Sequence, residues 1–162
     1  MTNITPGAGA SFAIGTTSDV DFSTDSAALT DFQNDTYTEV GDIESIGDFG
    51  DEFTEVTFTG LSDRRTRKFK GSADAGNLSV TVAMNADQAG QQDLRNALED
   101  ATQDDYNFRV TFNDGTSGGS DTVEYLRGKV MSNSVSVSGA NDIVTATFSV
   151  GLNEKPIRVV GS

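Results

Sequence analysis

The side chains that most often carry chemistry are missing from this chain. Its 162 residues include no His and no Cys. Without His there is no Ser-His-Asp arrangement, and the commonest general base and metal ligand is absent. Without Cys there is no disulfide, no thiolate metal site and no thiol nucleophile. A Ser–Lys dyad is conceivable, but the few lysines sit in a basic loop (Lys68, Lys70), in a strand (Lys129) and near the tail (Lys155). Asp and Glu total 25, so carboxylate pairs are inevitable and none stands out. Asn113-Asp-Gly115 followed by Asp121 faintly resembles an oxygen-ligand Ca²⁺ loop. Its spacing fits no standard one, and a Gly-rich hairpin loop is the simpler reading. Neither phosphate-cradling pattern, GxxxxGKS/T or GxGxxG, occurs. The expectation is a non-enzyme with no catalytic, cofactor-binding or metal residues, whose chemistry lies in its surfaces.

Two surface patterns stand out. Glu39, Asp42, Glu44, Asp48, Asp51, Glu52 and Glu55 form an acidic run, and Arg64, Arg65, Arg67, Lys68 and Lys70 follow it directly. A basic cluster alone reads as a phosphate site or a solvated loop. Beside an acidic ribbon it has two further readings: pairing within the chain, or a contact in which the loop of one copy meets the acids of the next. Asp48, Phe49, Asp51, Glu52, Arg64, Arg65, Arg67, Lys68 and Lys70 are therefore candidates for contact between copies. Phe49 fits a plug into a neighbour or an ordinary core contact equally well. The second pattern is a set of neutral hydroxyls on the polar sides of strands: Ser79 and Thr81, then Ser132, Ser134, Ser136 and Ser138, then Thr145, Thr147 and Ser149. A solvated sheet face usually mixes in Lys, Glu and Arg. Uncharged hydroxyls fit another protein layer, or a channel wall that must bind nothing tightly. A plain solvent face enriched in Thr for β-propensity is the alternative.

The net charge of -14 argues against wrapping nucleic acid, because phosphate contacts need Lys and Arg. It equally serves solubility. No run is long and apolar enough to span a bilayer, and residues 1–11 lack the charged and apolar regions of a signal peptide. Synthesis in the cytoplasm and no membrane insertion follow as expectations. With no Trp and ten Phe, Phe and the aliphatics must fill the core of what reads as one domain, 1–162.

The positioning elements are mostly strands. One convincing helix spans about residues 86–102, with Leu94, Ala97, Leu98 and Ala101 on a narrow stripe and Asn85 and Gln88 as a capping pair. Gly90 weakens its first turn. Such a stripe must cover a sheet. Residues 1–35 read as an N-terminal arm and extended connection, 59–76 as a long charged loop. Strands are expected at Tyr37–Ile46 with a bend at Gly41, and at Glu52–Phe58, Leu78–Met84, Phe108–Phe112 and Thr122–Val130. Others follow on either side of a hairpin turn at Gly139–Asp142, and Ile157–Val160 is a short apolar tail.

Several segments carry a resemblance. Gly9-Ala-Ser-Phe-Ala-Ile-Gly-Thr16, Tyr37-Thr-Glu-Val-Gly-Asp-Ile-Glu-Ser-Ile-Gly-Asp-Phe-Gly-Asp51, Val56-Thr-Phe-Thr59, Arg67-Lys-Phe-Lys-Gly71 and Asp74-Ala-Gly-Asn-Leu78 resemble the major tail tube proteins of long-tailed, siphovirus-like bacteriophages and gene transfer agents. The order of elements matches too; from Gln103 onward the likeness is one of strand pattern. The resemblance implies a mainly β, sandwich or barrel-like tail tube fold with one helix, an extended arm and a loop. It implies six copies per ring and stacked rings, with other tail proteins at the tube ends. Double-stranded DNA would pass through the lumen without tight binding, in a virion tail assembled in bacterial cytoplasm. A β-sandwich binding or adhesion module is the alternative, weakened by the lack of Trp and only three Tyr to build a carbohydrate platform.

Overall fold

In the computed structural model, which describes residues 4–115 and 118–161, one antiparallel sheet dominates. Its strands are β1 (Ser11–Ile14), β2 (Thr38–Val40), β3 (Ile43–Ile46), β6 (Asn77–Ala83), β7 (Tyr106–Thr111), β8 (Val123–Ser136), β9 (Thr145–Leu152) and β10 (Ile157–Val159). Their order is β2-β1-β7-β8-β9-β6-β3, with β10 added beside β8. β4 (Glu52–Thr59) and β5 (Thr66–Asp74) form a separate two-stranded hairpin. The helices are α1 (Asp25–Asn34) and α2 (Ala89–Glu99). The mainly β class expected from the sequence is what folds.

The connectivity forces the sheet to curl. β2 and β3 sit at opposite ends of the strand order, yet only Gly41 and Asp42 separate them. The three steps from Val40 to Ile43 reach at most about 11 Å, so the ends of the sheet must approach each other and the sheet wraps into an incomplete barrel. Asp42 makes the bend with φ of 58°, and its carbonyl accepts from Ala83 N at 2.8 Å. The inward side holds the main core: Phe12 stacked on Phe108, with Leu78, Val80, Val82, Val110, Leu126, Phe148 and Val150. These are the alternating apolar positions of the sequence, since successive strand residues face opposite sides.

α2 plugs this core with Leu94 and Ala97. It starts later than expected: Gln88 is the N-cap, its Oε1 accepting from Gln91 N at 2.8 Å. Asn85 instead accepts from Asp87 N. Gly90 lies inside the helix, where a Cβ would stand 2.2 Å from the carbonyl oxygen of Glu39. Its cost in helix propensity is the condition for α2 to pack on β2. Gln91 is fully buried and satisfied, with Nε2 donating to the carbonyls of Gly41 and Ala83, so it ties the β2–β3 link to the end of β6.

Segment 1–35 differs from the expected arm and extended connection. Residues 1–3 lie outside the described part, as do 116 and 117 of the expected loop Asn113–Ser120. β1 is an interior strand, paired with β2 and β7. α1 is a second helix where an extended stretch was expected. Thr24 caps it, accepting from Ala27 N at 3.0 Å, and Ala28 and Phe32 are buried against Tyr125 and Ile157 on the outward side of the sheet. Ser, Thr and Asp hid it, because these residues favour caps and turns in short windows while packing decides their state here. The expected loop 59–76 also shrinks. Residues 60–65 and 75–76 turn the chain, and Thr66–Asp74, with most of the basic segment, is β5.

Candidate assembly interface

The hydroxyl residues converge on one surface. Antiparallel partners share a face, so the register assigns it strand by strand. Ser45, Thr81, Thr147 and Ser134 form one row across β3, β6, β9 and β8; Ser79, Ser149 and Ser132 form the next; Thr145 and Ser136 begin a third. Thr81 and Thr147 hydroxyls lie 3.1 Å apart. These rows contain no Lys or Arg. Ser138 lies past the end of β8, exposed, just before the Gly139–Asp142 turn. The opposite side of the same strands is the main core, so this is an outer face of the barrel wall. α1 covers a different part of the outer side, over β8 and β10.

The acidic and basic candidates divide. β4 and β5 are exposed along their whole length, except for partial burial at Gly71. Val56, Phe58 and Phe69 share one side of the hairpin with Arg67, while Glu55 and Thr57 oppose Lys70 and Lys68 on the other. Phe58 and Phe69 are 59% and 55% exposed, and Leu61 at the tip is fully so. Three of the five basic residues have partners inside the hairpin. Arg67 pairs with Asp63, Lys68 lies 3.7 Å from Glu55, and Lys70 Nζ sits 4.9 Å from the Phe53 ring centroid. Arg64 and Arg65 at the tip have no ion pair among the described residues. Asp48, Asp51 and Glu52 lead into β4, exposed and without ion pairs among the described residues. Phe49 is half-buried against the subunit's own core.

Two features went unseen in the sequence. One is an open groove of about 570 Å³ along β3, walled by Ile43–Gly47, Phe49, Val110, Phe112 and residues 7–10. The other is a polar clamp behind α1. Asp35 carboxylate oxygens accept from Thr16 N (2.9 Å), Thr16 Oγ1 (2.6 Å), Asn107 Nδ2 (2.9 Å) and Thr36 N (2.8 Å). Arg127 Nη1 donates to Asn107 Oδ1 at 2.6 Å and to the Ser18 carbonyl at 2.7 Å. Burial raises the affinity of Asp35 for a proton, but the hydrogen bonds from Thr16, Asn107 and Thr36 outweigh it and hold the carboxyl below its ordinary range. Burial, then the bond to Asp100, pushes the Tyr106 phenol up to about 12. Neither shift poises a group for proton transfer near neutral pH.

No cluster of three or more potential metal ligands occurs among the described residues, and no helix there is long and apolar enough to cross a membrane. No family model matches the chain, and no curated protein is significantly similar to it. Solved structures do match. The chain is similar to the sheath/tube terminator of the PVC extracellular contractile injection system in its extended state, at TM-score 0.68 and 12% identity over 99% of both chains. It is similar to the SPP1 tail tube at TM-score 0.62 and 14% identity, covering 96% of this chain and 81% of that one. It is also similar to the tube-terminating cap of the anti-feeding prophage, at TM-score 0.68 and 10% identity, covering 99% and 93%. The fold is therefore that of tail tube and injection-system tube proteins.

Proposed function

We propose that the protein is a structural, non-enzymatic subunit of a phage-like tail tube, closing into six-membered rings that stack into a conduit for DNA. The observation that carries this reading is the neutral hydroxyl face on four adjacent strands of a tail tube fold. Six copies of those four strands make roughly 24 strands. At about 4.8 Å spacing and a tilt near 40° they form a backbone cylinder roughly 45–50 Å across, wide enough for a duplex of about 20 Å. A wall of Ser and Thr offers phosphates little to grip, its one bordering cation, Lys129 opposite Gly151, being paired with Asp105, and the net charge of -14 repels them at longer range, so a duplex can slide. Ring closure also removes exposed sheet edges. The protruding hairpin, with Arg64 and Arg65 free at its tip and Asp48, Asp51 and Glu52 at its root, serves the contact between rings. Other tail proteins cover the tube ends.

A free-standing binding module is disfavoured by the apolar hairpin, which the described residues of its own subunit leave exposed. Negative-stain microscopy of the purified protein tests the choice. Rings or striated tubes are expected; a solitary subunit at all concentrations overturns the proposal.

A further inference from the structure

We propose that Asp105 is the residue that keeps the bore from gripping DNA, by holding Lys129 away from a passing duplex. The inference rests on the conduit reading and names the side chain on which free passage depends. Among the described residues, three cations stand on the outward side of β7 and β8. Arg109 opposes the outward-packed Tyr125, and Arg127 and Lys129 follow Tyr125 at alternate positions. Arg109 lies 3.3 Å from Glu39 and 4.8 Å from the Tyr37 ring centroid. Arg127 is held beneath the segment leading into α1, where it donates to the Ser18 carbonyl and to Asn107 and lies 3.8 Å from Asp19. Lys129 differs from both because it borders the hydroxyl face.

Lys129 opposes Gly151, which continues the face that Thr145, Thr147 and Ser149 carry along β9. With Asn77, Met131 and Gly151 it lines an open hollow of about 370 Å³ at that end of the rows. Gly151 has no side chain to screen it. A lysine stem of four methylenes spans more than one strand spacing of about 4.8 Å, so an unheld ammonium reaches across β9 to the hydroxyl rows. Here it is held. Pairing of β7 ends at Tyr106 opposite Gly128, which brings Asp105 beside Lys129 at the edge of β8 away from β9. Their side chains form an ion pair, the lysine 29% exposed and the carboxylate 20%. Asp105 Oδ1 also accepts from Asn153 Nδ2 at 2.9 Å, and Asn153 N donates to the Arg127 carbonyl at 2.9 Å. The carboxylate is thereby tied to the backbone of β8, and it draws the ammonium towards β7. In a ring of six, releasing these pairs would set six ammoniums against the phosphates, each contact adding about one to the slope of binding against salt. Partly exposed ion pairs add little to stability, so the consequence of this one lies in the charge it cancels.

The test uses tubes of the whole chain assembled with a short fluorescent DNA duplex, treated with nuclease to remove DNA outside them, washed and pelleted. Wild-type tubes should release the enclosed duplex on washing. Asp105→Asn tubes should retain it about tenfold longer at low salt, with retention falling steeply as salt rises. Adding Lys129→Gln to Asp105→Asn should restore release, and Lys129→Gln alone should match the wild type. An Asp105 that merely pinned the chain would give no such rescue. If Asp105→Asn does not assemble by itself, tubes co-assembled with wild-type subunits give the same reading, with retention rising as the variant fraction rises. Asp105→Asn tubes that release DNA as fast as the wild type overturn the proposal and leave the conduit reading intact. Equal retention by the double variant also overturns it, by placing the grip on a group other than Lys129. A wild-type chain that never forms tubes overturns the conduit reading and this inference with it.

Discussion

Asp35 ties the segment before β1's partner strand to the sheet through four donors, and its lowered proton affinity fixes the sign of an acid effect. A carboxyl whose folded pKa is depressed stabilises the fold above its unfolded value, about 3.9, and loses that contribution as pH falls through the lower folded value. Asp21, Asp100 and Asp114 are held down by backbone amides at Ser23, Thr102 and Thr122, and act with the same sign. Urea unfolding of the subunit should therefore show stability flat from about pH 7 to 5 and falling below about pH 4. Asp35→Asn should cost roughly 1–3 kcal/mol near neutral pH and shrink that acid dependence. Equal stability of the variant at pH 7 would remove the clamp from the account. The inward residues Phe12, Leu78, Val80, Phe108 and Phe148 were legible as alternation. Asn107 and Gln91 were not, because a buried amide is defined by partners far away in sequence: Asp35 and Arg127 for one, Gly41 and Ala83 for the other.

The hairpin of β4 and β5 is the element least covered by its own subunit among the described residues. An isolated two-stranded ribbon is marginal in water, and this one leaves Val56, Phe58 and Phe69 uncovered. Replacing Phe58 and Phe69 with Ser should change subunit stability by no more than about 0.5 kcal/mol, as for surface positions, while blocking tube growth. Arg64→Glu with Arg65→Glu should leave single rings and remove stacking, most clearly at low salt. Tubes that form normally from both double variants would separate the hairpin from assembly. The sequence made β4 visible but turned β5 into a loop, because five basic residues in seven positions mask the alternation of Phe69 with its cross-strand partner Val56. α1 was hidden for a related reason. Its apolar residues number too few for a clear stripe, and Phe32 finds its place only by stacking on Tyr125, 93 positions later by the numbering.

At the scale of the molecule, the mainly β architecture and the single hydroxyl face could be read from strand patterns alone, since both follow from a period of two. The curl of the sheet could not, because it arises from β2 and β3 being joined by two residues while standing at opposite ends of the strand order. That curl turns the rows of Ser and Thr outward on one wall and puts α1 over another part of the outer side. It leaves two open edges at the ends of one four-strand unit. A subunit so built buries its core but leaves two sheet edges unpaired among the described residues, which the proposed ring would pair. Electron cryomicroscopy of the assembled protein tests this most directly. The account predicts a hollow tube of stacked six-membered rings whose bore is lined by Ser79, Thr81, Ser132, Ser134, Ser136, Thr145, Thr147 and Ser149. A bore ringed by Arg and Lys, or particles that remain single subunits with β3 and β8 uncovered, would contradict it.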